Sequence, residues 1–262
     1  MTKADIPACM TLKEAAGWNQ TPADWECVID LQPDGCWVDE REGQVAGSTT
    51  VVCYGNKLAW IGMVLTLPSF RRRGVARGLM ERALDFCDRR GAAVIKLDAT
   101  DMGRPLYAKL GFVDEQPIER WKGVANHSGS VTGFHFGAAM ALDRRAFGVE
   151  RDIERLARAS TERIGDAEGY VLARPGSNAH FIGPCIAETP EHASSLIRSA
   201  LAQRAGSDFF WDLLPENRQV VGLATSLGFE PARRLVRMAR PRGAPQLGEP
   251  ALVWATAGFE YC

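Results

Sequence analysis

The segment Arg71-Arg72-Arg73-Gly74-Val75-Ala76-Arg77 gathers four arginines around a glycine at the start of an amphipathic stretch. Such a loop presents unpaired backbone N–H groups at a helix N-terminus, where the helix dipole adds partial positive charge, so it forms a cradle for an anion. Gly74 lets the backbone approach a phosphate closely and Ala76 keeps the first turn uncluttered, which suits a pyrophosphate. Taken alone, the same residues also read as a basic surface loop ahead of an ordinary helix.

The elements that must position this loop follow from periodicity and turn chemistry. Thr2 with Asp5 resembles a capping box, and Ile6, Met10 and Leu12 predict a first helix ending at Gly17. Thr21-Pro22-Ala23-Asp24 starts a second helix and leaves residues 18–20 as an exposed interhelical loop. Three strands are expected between Cys36 and Thr66, turning at Glu42-Gly43 and Gly55-Asn56. The last of them runs through Pro68 into the arginine loop and a helix from Val75 to Arg90. A strand at 92–99, a short helix at 103–110 and a strand at 112–121 complete an α/β pattern with a mixed sheet.

Residues 125–137 are rich in small residues and lack periodicity, so the domain junction is expected there. Beyond it the pattern returns: a helix at 143–159, strands at 170–174 and 179–187, a helix at 190–204, a strand at 208–214, a helix at 217–227 and a strand at 229–238. A loop rich in proline and glycine follows at 241–250, and 251–261 reads as a closing strand.

Bulk properties set limits on what these elements build. The 262 residues suit two compact domains. With 46% apolar and 24% charged residues the chain is expected to fold without long disorder, and a net charge of -1 gives no reason to expect nucleic acid or an acidic membrane as partner. No apolar run approaches a membrane span and the first residues lack a signal peptide's hydrophobic segment, so the cytoplasm is the expected location. The seven cysteines (Cys9, Cys27, Cys36, Cys53, Cys87, Cys185, Cys262) include no Cys-x-x-Cys pair and are expected as buried free thiols. His127, His135, His180 and His192 have no metal-like spacing, and no metal is expected.

In this context Arg71-x-x-Gly74-x-Ala76 resembles the signature of the GNAT acetyltransferases, with the expected strand before it and helix after it. Leu106-Tyr107-Ala108-Lys109-Leu110-Gly111-Phe112, about 35 residues on, is similar to a second segment of that family. The resemblance covers roughly residues 5 to 122. It implies acetyl-CoA as cosubstrate, held by backbone N–H groups from Arg71 through Arg72, Arg73, Gly74, Val75 and Ala76 to Arg77. It also implies that main-chain groups of Met63, Val64 and Leu65 pair with the pantetheine arm where two strands splay at a bulge. Tyr107 would be the general acid for the departing thiolate, or else a packed aromatic.

Direct attack of an amine on the acetyl carbonyl is the implied mechanism, with Asp98 as candidate base or as a strand-end carboxylate capping the next turn. Asp24 and Glu26 read as solvated helix-face acids. Where many members of the family carry Asn to contact the cofactor, this chain has Thr100, so its hydroxyl replaces that cofactor contact or the contact is absent; little chain precedes the first helix for the family's first strand. The interhelical loop usually lines the acceptor pocket in this family, which makes Trp18, Asn19, Gln20 and Trp25 candidates for substrate contact, with core packing the alternative for Trp25.

Shifting by 117 residues aligns Leu106 with Leu223, Gly111-Phe112 with Gly228-Phe229 and Thr100 with Asn217. The same register brings Glu188 to Arg71, Glu191 to Gly74 and Ala224 to Tyr107, so the second cradle is expected to repel phosphate. The chain is therefore expected as two tandem GNAT-like domains, each a mixed, mostly antiparallel sheet flanked by helices: 1–124 catalytic and 125–262 degenerate. The second domain would wall the acceptor pocket, with His180, Trp211 and Asp212 as candidates to face it. The expected activity is acetyl transfer from acetyl-CoA to a primary amine of a small molecule; the alternatives are a protein or peptide amine acceptor and a non-catalytic acetyl-CoA sensor.

Overall fold

The computed structural model describes residues 1–261; Cys262 lies outside the described residues. After a 3-10 turn at Lys3–Asp5, α1 (Ile6–Ala16) ends at Gly17, whose left-handed φ of 67° a β-carbon would oppose. α2 (Pro22–Leu31) starts at a capping box in which Asp24 accepts from the Thr21 N–H (2.7 Å) and hydroxyl (2.8 Å). The meander β1 (Cys36–Arg41), β2 (Gln44–Tyr54) and β3 (Leu58–Thr66) turns where expected. Next come α3 (Val75–Arg89), β4 (Val94–Ala99), α4 (Arg104–Lys109) and β5 (Val113–Val124).

The second half comprises α5 (Phe136–Phe147), α6 (Ile153–Arg158), β6 (Glu162–Gly165), β7 (Gly169–Arg174), β8 (His180–Ala187), α7 (Pro190–Ala202), β9 (Asp208–Leu213), α8 (Arg218–Ser226), β10 (Glu230–Arg240) and β11 (Val253–Ala255). Two departures have local causes. The single helix expected at 143–159 is two helices, because Gly148 at φ 85° ends the first. The closing strand expected at 251–261 is ordered as a strand only over Val253–Ala255, and its remainder runs on as an irregular tail.

All eleven strands join one sheet in the order β1-β2-β3-β4-β10-β5-β9-β8-β7-β6, with β11 beside β8. The two halves exchange their long C-terminal strands: β10 lies between β4 and β5, and β5 lies between β10 and β9. Two buried ion pairs cross this seam. Arg237 on β10 grips Asp98 on β4 at 2.9 and 3.1 Å, and Arg120 on β5 grips Asp212 on β9 at 2.7 Å through both nitrogens. A bidentate arginine–carboxylate fork fixes register as well as charge, so each half carries an anchor in the other.

Helix α3 packs Val75, Leu79, Met80, Ala83 and Cys87 into one core cluster with β3 and β4 residues, while α1 and α2 cover the opposite face together with the chain's C-terminal residues. Burial pushes the thiols of Cys9, Cys36 and Cys87 up to about 12, which keeps them protonated. Among the described residues no helix is long and apolar enough to cross a membrane.

Candidate functional site

On β2, Ser48 faces Leu65 and Thr50 faces Gly62, so Thr49 opposes two residues of β3, Met63 and Val64. This is a β-bulge, and it holds Met63 in the left-handed region at φ 50°. The Ser48 hydroxyl fixes it by donating to the Met63 carbonyl at 2.8 Å. The parallel pairing of β3 with β4 covers only Leu58–Trp60 against Val94–Lys96. Beyond Trp60 the strands part, and β3 offers an unpaired edge to a cleft between the two strands.

Ile61, Gly62, Met63 and Val64 form one wall of that cleft, and Leu97, Asp98, Thr100 and Tyr107 the other. The Tyr107 ring lies edge-on to Phe112 at 6.3 Å and abuts Gly103, where an added β-carbon would sit 2.7 Å from it. Burial raises the Tyr107 pKa above its ordinary value, and its hydroxyl has no hydrogen-bond partner among the described residues. The wall thus carries a neutral phenol. The Thr100 oxygen accepts from the Gly103 N–H at 3.2 Å, so it shapes the turn that presents Tyr107.

Outside the cleft, the residues ahead of α3 form an exposed, uncapped cradle. Gly74 is the N-cap at φ 85° with no side-chain cap, and a β-carbon there meets nothing within 4 Å. The N–H groups of Val75, Ala76 and Arg77 open the helix and lack intrahelical acceptors. Arg73 pairs with Glu42 at 2.5 Å and Arg77 with Glu81 at 2.9 Å, whereas Arg71 and Arg72 have no carboxylate partner among the described residues.

Several expected roles need correction. Trp25 is fully buried in the core and cannot touch a substrate. Asn19 is turned away from the cleft: its amide donates to the Ala179 carbonyl and accepts from the N–H groups of Asn178 and Ala179, tying the loop to the second half. Asp98 has an enclosed side chain with both oxygens held by Arg237, so the ion pair across the seam occupies the carboxylate that was expected as a base. Burial raises its pKa while Arg237 opposes that rise. Asp24 is buried rather than solvated and pairs with Arg174 at 2.8 Å. Trp211 is core, Asp212 is the partner of Arg120, and His180 stacks beside Phe209 without lining the cleft.

Trp18 and Gln20 do line the cleft, and four residues that the sequence reading missed stand with them: Arg233, Leu235, Phe259 and Glu260. Glu260 accepts from Gln20 at 3.0 Å and from Arg174 at 2.6 Å. It is brought there by the C-terminal tail, which crosses β3 so closely that a β-carbon on Gly62 would lie 3.0 Å from the Glu260 α-carbon. Trp60 holds the tail by donating its indole N–H to the Phe259 carbonyl at 3.0 Å. The signal for Arg233 was present: Arg233, Leu235 and Arg237 alternate on one face of a strand, placing two cations on a buried side.

The second half has the matching splay, since β8 pairs with β9 only over His180–Ile182. There the gap is filled. Val253 pairs with Ile186 and Ala255 with Cys185, and the Thr256 N–H donates to the Asp212 carbonyl on β9 at 2.9 Å. The N-terminus of α7 is closed by its own Thr189 hydroxyl, which accepts from the His192 N–H at 3.2 Å, and is flanked by Glu188 and Glu191.

Residues 8–112 match the family model described as acetyltransferase (GNAT) family, and residues 139–249 match one described as acetyltransferase (GNAT) domain. The chain is 24% identical over 262 residues to holothin acyltransferase of Pseudoalteromonas sp. (strain SANK 73390), covering 94% of this chain and 87% of that protein. Among solved structures, a protein from Pyrococcus horikoshii described as an acetyltransferase superposes with a TM-score of 0.86 at 22% identity, covering 99% of this chain and 93% of its own. A tandem GNAT protein from the clavulanic acid biosynthesis pathway gives 0.61 at 16% identity, with 93% and 96% covered. At such identities the structural likenesses establish the fold.

Proposed function

We propose, from the premise that this chain belongs to the GNAT acetyltransferases and carries two of their domains in tandem, that its first half transfers the acetyl group of acetyl-CoA to a primary amine of a small molecule. The observation that carries this reading is the unpaired β3 edge beyond the Met63 bulge, facing Tyr107 across the cleft. An extended pantetheine arm adds to that edge as a strand would, through the main chain of Met63, Val64 and Leu65. The N–H groups between Arg71 and Arg77 receive the pyrophosphate at the N-terminus of α3.

The thioester then lies between the two walls, and binding both reactants there removes much of the entropic barrier to their meeting. The amine attacks the acetyl carbonyl, a C–N bond forms, and the C–S bond breaks. Tyr107 gives its proton to the leaving thiolate, and the proton lost by the amine passes to water at the cleft mouth. Similarity to holothin acyltransferase supports acyl transfer as the reaction class. The test is a screen of amines for acetyl-CoA-dependent CoA release. Turnover of at least one small amine is expected; acetyl-CoA binding without turnover of any amine would contradict the reading.

A further inference from the structure

The acceptor side of the cleft holds a cation, Arg233, that forms no ion pair among the described residues. Arg233 is half-buried on β10 and lines the cleft with Trp18, over whose ring its guanidinium lies at 6.0 Å. No carboxylate among the described residues pairs with it. The acids nearby are committed: Asp98 to Arg237, Asp212 to Arg120, and Glu260 to Arg174 and Gln20. Its register partner across β5 is a second arginine, Arg120. Like charges facing each other across strands are destabilising, and a partly desolvated guanidinium without an anion adds to that cost. Burial, followed by the nearby Arg120, lowers the Arg233 pKa, the mark of a cation in unfavourable surroundings.

An anion supplied by a ligand would relieve all of these terms. The guanidinium fork matches a carboxylate or a phosphate with two parallel hydrogen bonds. The phosphates of the cofactor have their own cradle at Arg71–Arg77, which does not line this cleft. We propose that the acceptor is an amine that also carries an anionic group, a carboxylate or a phosphate, and that Arg233 receives this group while the amine meets the thioester near Tyr107. This rests on reading the cleft as the acetyl-transfer site.

The experiment compares acceptors in matched pairs: amino acids against their carboxamides, and aminoalkyl phosphates against the corresponding amino alcohols. kcat/KM is measured for the wild type, Arg233→Gln and Arg233→Lys, with acetyl-CoA affinity measured by calorimetry. The wild type is expected to prefer the anionic member of one pair type by about 10- to 100-fold, the scale of a charge-assisted hydrogen-bonded pair. Which pair type responds identifies the anion. Arg233→Gln should bring that ratio close to one through KM, and Arg233→Lys should restore part of it. Amines turned over without discrimination in either pair type, or a preference unchanged in Arg233→Gln, overturn the inference and leave acetyl transfer standing. Loss of acetyl-CoA affinity in Arg233→Gln assigns the anion to the cofactor and also overturns it. No turnover of any amine removes the reading of the cleft itself, and the inference with it.

Discussion

In the first half the edge of β3 beyond Trp60 opens on a cleft, whereas in the second half the matching edge of β8 is hydrogen-bonded to β11. The helix that follows is uncapped at Gly74 in the first half and closed by Thr189 in the second. Tyr107 on one side answers to Ala224 on the other. One fold thus appears twice, and the halves differ in what occupies the splay between two parallel strands. The chain itself fills one gap with residues 253–256, and the same tail continues to Glu260 on the wall of the other. In the second half the splay is thus filled by the chain itself, and residues of that half line the cleft of the first.

The seam tests how alike the halves are as structures. Asp98→Asn and Asp212→Asn each remove the carboxylate charge from a buried bidentate ion pair, and each should destabilise the protein by about 3–5 kcal/mol in chemical denaturation. Equal losses support the paired anchors; a loss confined to one would break the symmetry. If Asp98 were instead the catalytic base, Asp98→Asn would lower kcat about 10²-fold or more in protein that is still folded.

Function should separate the halves. Gly74→Glu forces a side chain into a left-handed backbone and sets a carboxylate at the cradle, so acetyl-CoA affinity should fall by about 10²- to 10³-fold in calorimetry. Tyr107→Phe should lower turnover about 10²-fold while cofactor affinity stays close to that of the wild type. Burial raises the Tyr107 pKa, so the proton-donating form persists above the phenol's ordinary pKa of 10. A kcat profile measured up to about pH 10 should accordingly show no alkaline loss that disappears in Tyr107→Phe. The smallest expected effect is the sharpest comparison. Glu188→Arg with Glu191→Gly rebuilds cradle residues in the second half, yet it should add no second acetyl-CoA site because β11 still fills the splay.

Local chemistry carried much of this into the sequence. The arginine loop, the capping box at Thr21 and Asp24, and the turns at Gly43 and Gly55 depend on residues within a few positions of each other, and they were legible. The 117-residue register also pointed to two copies of one pattern. A repeat does not say which copy a strand pairs with, so the exchange of β5 and β10 was not legible. Asn19 and Trp25 sit beside Trp18 and Gln20 in sequence but face away from the cleft, because contacts with Ala179 and the core orient them. Asp98 looked available until a strand from the other half brought Arg237 to it. Glu260 reached the site on an irregular tail held by single hydrogen bonds, such as the one from Trp60, which no periodicity encodes.

Titration of the intact protein with acetyl-CoA in a calorimeter tests the central claim most directly. The account predicts saturation at one molecule per chain, with that single event lost in Gly74→Glu. Two molecules per chain, or one that persists unchanged in Gly74→Glu, would contradict the division between an open first half and a second half filled by its own chain.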